Sequence, residues 1–136
     1  MTDPEAPIFG GTPPASLTQA IIEGFGVEQA YQFIRAGQDP NAASPFEHSD
    51  YTEGKTIMAT PLLLAVARED SSTLMMLLSF GGRLDAPQNQ HVECLARELK
   101  NQEILGILAD RRGETAPPAC ADRKPGAATP LLAWGF

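Results

Sequence analysis

The chain has 136 residues and a formal net charge of -7, with 43% hydrophobic residues and 12 each of proline and glycine. That length suits one domain with a single core, and the frequent prolines and glycines require short elements. The carboxylate excess excludes nucleic-acid binding by phosphate neutralisation and disfavours an anionic membrane surface, since both need clustered Lys and Arg.

Residues 1–15 contain Pro4, Pro7, Pro13, Pro14 and Gly10-Gly11, which suit neither a helix nor a paired strand and predict an extended arm. The start is acidic, without a basic n-region or an apolar h-region, and no 18-residue apolar run follows, so a soluble cytoplasmic protein is expected. From Ser16, a plausible N-cap, Leu17, Ala20 and Ile21 recur at helical spacing up to a turn at Gly24-Phe25-Gly26. A second periodic segment, Val27, Ala30, Tyr31, Phe33 and Ile34, stops at Gly37, completing a helical hairpin.

The same grammar returns downstream. Thr60-Pro61 starts a helix carrying Leu62, Leu64, Ala65 and Val66, and Glu69-Asp70-Ser71 supplies a turn and a cap. The next helix carries Leu74, Met75, Leu77 and Leu78 and ends at Gly81-Gly82, with the Met75-Met76 pair expected to pack. A third copy reads Val92, Leu95, Ala96 and Leu99, then Lys100-Asn101, then Ile104, Leu105, Ile107 and Leu108, ending near Gly113. Gly37-Gln38-Asp39-Pro40-Asn41-Ala42 aligns with Gly81-Gly82-Arg83-Leu84-Asp85-Ala86, and such self-similarity outranks any single-segment assignment.

Over residues 16–113 the chain resembles the ankyrin-repeat family. That repeat opens T-P-L-H-x-A, and this chain has Thr60-Pro61-Leu62-Leu63-Leu64-Ala65, departing at the histidine. The resemblance implies an all-α fold, a short solenoid of about three helix-turn-helix repeats with an enlarged hairpin finger loop. It also implies a role in binding another protein through the fingers and the concave face lined by the first helix of each repeat.

The segment between Ala43 and Ala59 falls at a finger position and is about a dozen residues longer than a 33-residue period allows. Its Phe46, Glu47, His48, Asp50, Tyr51 and Glu53 combine aromatic anchors with steering charge, Phe46 and Tyr51 being the anchors. By analogy with the family, Glu23, Met58, Arg68, Glu69 and Glu98 face the concave groove. Arg35 and Lys55 are the only Lys or Arg within residues 1–55, against eight carboxylates, so the partner expected is a protein with a basic or mixed-charge surface.

Residues 114–136 form a separate tail. Up to residue 130 it is Pro- and Ala-rich with a polar cluster, Asp122-Arg123-Lys124, and is expected to be flexible or extended. Thr129-Pro130 favours a short helix, and Leu131, Leu132, Trp134 and Phe136 should dock, either over the last repeat or into a partner.

Catalytic groups do not assemble in the pattern. His48 and His91 are the two histidines; His91 and Cys94 form an H-x-x-C pair lacking two further ligands, so neither a metal nor another cofactor is expected. Cys94 and Cys120 could pair in an oxidising compartment, but without an export signal they are expected as reduced thiols, Cys94 being inert in an apolar stripe. The function expected is non-catalytic binding of a partner, as an inhibitor of the immunity or antitoxin kind or as an adaptor. The alternative is a structural or self-assembling subunit whose tail docks into a neighbour.

Overall fold

The computed structural model describes residues 15–136. The N-terminal arm therefore lies outside the described residues, save Ala15. Three helical hairpins follow one another, made of α1 (Leu17–Ile22) and α2 (Val27–Arg35), α3 (Pro61–Ala67) and α4 (Ser71–Ser79), and α5 (Val92–Leu99) and α6 (Gln102–Arg112). Helices α1, α3 and α5 pack side by side as one layer, and α2, α4 and α6 as a second. A 3-10 turn over Pro87–Asn89 leads into α5, and a last helix, α7 (Pro130–Trp134), lies against α5. Among the described residues no helix is long and apolar enough to cross a membrane.

Local chemistry sets where most helices begin. The side chains of Ser16, Thr60, Asp70, Asn101 and Thr129 each accept a hydrogen bond from a backbone N–H three residues on, satisfying a donor that the first helical turn leaves orphaned. Pro61 and Pro130 occupy the first helical position, where no N–H is required. α3 is buried from Pro61 to Val66, so it is apolar on every side rather than amphipathic, consistent with its place between α1, α4 and α5. Leu62, Leu64, Leu74, Leu77, Leu95, Ile104 and Leu108 form the centre of the core around it.

Each hairpin turn reverses through a residue with positive φ, namely Gly24, Glu69 and Lys100. Lys100 has a φ of 57° at an exposed helix C-terminus, a conformation that costs a β-carbon-bearing residue about 1 kcal/mol. Lys100→Gly is expected to raise the urea midpoint by an amount equivalent to about 0.5–1 kcal/mol. A lowered midpoint would mean that the lysine side chain itself contributes to the turn.

The chain is not all-α. Among the described residues, seven helices are joined by a two-stranded antiparallel sheet, β1 (Ser44–Phe46) with β2 (Ile57–Ala59), in the register Ser44↔Ala59, Pro45↔Met58 and Phe46↔Ile57. The stems of the segment assigned to a finger loop pair because alternation drives one face inward. Phe46 (7% exposed) and Ala59 are buried, while Pro45 and Met58 point outward. The tail returns to lie along α5 of the last hairpin, one of the two dockings that its apolar end leaves open in the sequence. Met75, expected to pack, is 53% exposed, whereas Met76 is buried.

The two cysteines are not free thiols. Cys94 and Cys120 are joined in a disulfide across a sequence separation of 26. Cys94 is buried in α5, and the doubling back of the tail brings Cys120 to it. Sequence spacing alone does not show that this return sets Cys120 against Cys94.

Loops between hairpins are held by a partly buried amide network, buried at Thr60 and Asn89 and reaching the surface at Asn41. The Thr60 hydroxyl donates to Asn89 Oδ1 (2.6 Å), and Asn89 Nδ2 donates to Asn41 Oδ1 (2.9 Å) and to the Arg83 carbonyl (2.9 Å). Asn41 in turn donates to the Gly81 carbonyl and accepts from the Arg83 N–H. Thr60 thus caps α3 and ties it to the turn preceding α5, so that neighbouring hairpins share one set of satisfied polar groups.

Candidate functional site

The segment between the strands is an ordered finger. Thr52, fully buried, accepts from the His48 N–H (2.9 Å) and donates to the His48 carbonyl (3.0 Å), and the Thr52 N–H donates to that same carbonyl (2.9 Å). His48 Nδ1 accepts from the Asp50 N–H (3.0 Å), and its ring meets Tyr51 edge-on at 5.0 Å. Thr56 donates to Glu47 (2.8 Å) across the base of the finger. The carboxylates of Glu47, Asp50 and Glu53 lie on an exposed surface, Tyr51 is half-buried, and Phe46 faces the core. Phe46 is therefore a support for the finger rather than an anchor presented to a partner.

The tail brings several of the remaining sequence-marked residues together. Met58 N–H donates to the Phe136 carbonyl (2.8 Å) and the Phe136 N–H donates back to Met58 (3.2 Å), along the edge of β2 away from β1. That edge is available because Met58 faces Pro45, which has no N–H to pair, so the Met58 backbone groups turn outward. The Thr129 hydroxyl donates to the Tyr51 carbonyl (2.6 Å). Glu98 receives two hydrogen bonds from Arg123 (2.6 and 2.9 Å) and one from the Trp134 indole N–H (3.2 Å). Leu131 and Trp134 are buried, Leu132 is half-buried and Phe136 is exposed.

Glu23, Arg68 and Glu69 do not join this group. Glu23 is an exposed cap of α1, Arg68 lies over the turn at Gly24 with a long 3.5 Å contact to the Ile22 carbonyl, and Glu69 accepts from Asn101 (3.0 Å).

Several residues that hold the tail carry no local signal in the sequence. Arg97 donates to the Pro118 carbonyl (2.8 Å) and to Cys120 Sγ (3.1 Å). The His91 ring lies tilted at 53° against the Trp134 ring, centroids 5.4 Å apart, with Nδ1 placed 3.2 Å from the Trp134 carbonyl, to which it donates, since a carbonyl only accepts. Its Nε2 is buried, has no hydrogen-bond partner among the described residues and lies 3.7 Å from the Asp122 carboxylate. Lys124 donates to the Gly135 carbonyl, and its own N–H donates to Ala133 (3.2 Å). The partners are 11 to 43 residues apart for the side-chain contacts of Lys124 and His91, too far for any spacing rule.

The Arg123 guanidinium beside Glu98 holds that carboxyl below the usual carboxylate range, helped by the Trp134 N–H and opposed by burial. A carboxyl whose pKa is lower folded than unfolded stabilises the docked tail above its unfolded pKa, and that contribution is lost as pH falls through the folded value. Below the ordinary carboxylate range, about pH 4, the tail should loosen, seen as a red shift of Trp134 emission on acid titration. Glu98→Gln is expected to remove this acid-dependent part; an unchanged titration would assign the acid response to other carboxylates.

A cavity of about 530 Å³ opens beside α5, lined by Leu84, Asn89, Glu93, Arg111, Arg112 and Pro118 among others. Its buried polar groups are already partnered, Glu93 by Arg97 and Arg112 and Asn89 by Thr60 and Asn41. No group of three or more His, Cys, Asp or Glu residues among the described residues could hold a metal ion.

No known family model matches the chain, and no curated protein or solved structure shows significant similarity to it. Nothing in these comparisons indicates ankyrin repeats.

Proposed function

We propose that this chain is a non-catalytic protein-binding module that meets a basic or mixed-charge protein surface through its finger, acting as an inhibitor or adaptor by occupying that surface. One observation carries the reading: Glu47, Asp50 and Glu53 are exposed on a finger whose backbone is closed around buried Thr52. Charge held on a rigid support steers and orients a partner without the ordering cost of a loose loop. Tyr51, half-buried beside the carboxylates, is the aromatic contact in this reading. A self-assembling role in which the tail plugs a neighbour has less support, because Leu131, Ala133 and Trp134 are already buried within the chain. Cytoplasmic residence fits the reading where the Cys94–Cys120 pair is reduced, whereas the bonded pair suits an oxidising compartment.

The test compares co-purification of partners with the wild-type chain and with a Glu47→Lys/Asp50→Lys/Glu53→Lys variant whose helix content is checked by circular dichroism. A stoichiometric partner that is lost from the folded variant, and whose association slows with added salt in the wild type, supports the finger as the contact. A partner retained by the variant would overturn it.

A further inference from the structure

The inner face of α5 and the free edge of β2 form a groove, and the chain fills it with its own C-terminus. The segment from Thr129 to Phe136 sits there as a bound peptide would: a capped apolar turn, a buried tryptophan (3% exposed) and a final residue paired backbone-to-backbone with Met58. A five-residue helix has no stability of its own in water, so the groove is what orders it. Gly135 is part of the fit, because a β-carbon there would lie 2.5 Å from Ile57 Cδ1 and 2.8 Å from the Leu131 carbonyl.

We propose that residues 118–136 are a disulfide-gated flap covering a peptide-docking groove, and that reduction of Cys94–Cys120 by a dithiol reductant opens it. The groove would then take a protein segment of the flap's own chemistry, an apolar turn with a tryptophan followed by an extended residue that pairs with β2. This deepens the protein-binding reading above and rests on it for the identity of what enters, whereas the opening of the flap stands on the contacts alone.

The chemistry is ordinary thiol–disulfide exchange. A reductant thiolate attacks Cys120 Sγ, which is half-buried while Cys94 is 1% exposed; the S–S bond breaks and Cys94 leaves as a thiolate that takes a proton. The second thiol of the reductant, as its thiolate, then displaces Cys120. The reductant is oxidised to its disulfide, and the chain gains two electrons and two protons. Arg97, 3.1 Å from Cys120 Sγ, stabilises the departing Cys120 thiolate.

The tether adds to the burial of Leu131, Ala133 and Trp134 and to the Met58–Phe136 backbone pair, which act on the flap without it. The Arg123–Glu98 pair is partly exposed, at 43% and 22%, and so is screened by water. Closing a loop between residues separated by 26 positions favours the closed state by roughly two orders of magnitude in the chain-entropy description. Opening would uncover the Met58 backbone edge, the Glu98 carboxylate and the His91 ring, two of which the sequence marks for partner contact.

Trp134 is the only tryptophan, so its emission reports the flap while far-ultraviolet circular dichroism reports the helical body. The intact oxidised chain is compared with the same chain treated with dithiothreitol until two free thiols titrate, and with Cys120→Ser. The probe is a labelled synthetic peptide spanning residues 127–136. Reduction is expected to shift Trp134 emission to the red, to raise hydrogen exchange at the Met58 and Phe136 amides about a hundredfold with helix content retained, and to tighten peptide binding at least tenfold. Gly135→Ala should admit the peptide with the disulfide intact. A fully reduced chain with unchanged Trp134 emission would overturn the gate; so would loss of the helices together with the emission change, which would make the disulfide a staple of the whole fold. An open flap that leaves the peptide unbound would overturn the groove as a docking site. Because the probe is synthetic, failure to find a cellular partner for the finger leaves each of these outcomes readable.

Discussion

Glu93→Ala is expected to destabilise the chain by about 3–5 kcal/mol, a large part of the 5–15 kcal/mol typical of a domain. Glu93 is 7% exposed on α5 and accepts two hydrogen bonds from Arg112 (2.9 and 3.2 Å) and one from Arg97 (3.2 Å). Removing the carboxylate strands the Arg112 guanidinium, which is only 19% exposed, next to apolar surface with its countercharge gone. Arg97, at 37% exposed, is relieved by water and adds less. The cost therefore lies in the uncompensated charge rather than in the worth of the ion pair. Replacing all three by leucine, in Glu93→Leu/Arg97→Leu/Arg112→Leu, should recover most of the loss, because a buried ion pair and a packed apolar cluster of similar volume are near in stability. Urea unfolding of the two variants decides it. A single variant within 1 kcal/mol of wild type would mean that water reaches Arg112 freely.

The second large effect is expected at Trp134. Truncating a buried tryptophan to alanine costs about 3–5 kcal/mol where the site cannot collapse. Under the flap proposal the loss has a ceiling: α7 leaves α5 without unfolding the three hairpins, and the measured cost then cannot exceed the free energy by which the tail docks. Trp134→Ala should accordingly leave the helical circular dichroism of the body near wild type and deprotect the Met58 amide, which is paired with Phe136. Trp134→Phe keeps most of the apolar area but loses the N–H bond to Glu98 (3.2 Å), for a smaller cost of about 1–2 kcal/mol. Global unfolding of Trp134→Ala at 25 °C would mean that tail and body fold as one unit.

The sequence by itself determined the local punctuation. Ser16, Asp70, Asn101 and Thr129 cap helices because a short polar side chain can reach the orphaned N–H three residues along, and that chemistry needs no neighbour. The repeated apolar spacing likewise placed three helical hairpins, since periodicity of 3.6 residues is a property of one segment. The exposed carboxylates of the finger are legible for the same reason: charge is expensive to bury unpaired and is found at the surface.

What joins distant parts of the chain was decided only by the tertiary structure. Phe46 has the composition of an anchor, yet it turns into the core because pairing of β1 with β2 sets which face it takes, and strand register is invisible to a single segment. Asn41 and Asn89 look like ordinary loop residues, but they carry the partly buried network between hairpins, which exists only once Thr60 and Arg83 are brought beside them. The disulfide, the Arg123–Glu98 pair and the indole bond all depend on the tail turning back over α5. The apolar cluster at Leu131, Leu132, Trp134 and Phe136 signals that the tail docks, but where it docks is the sum of that burial and of contacts from elements far away in sequence, which no local pattern encodes.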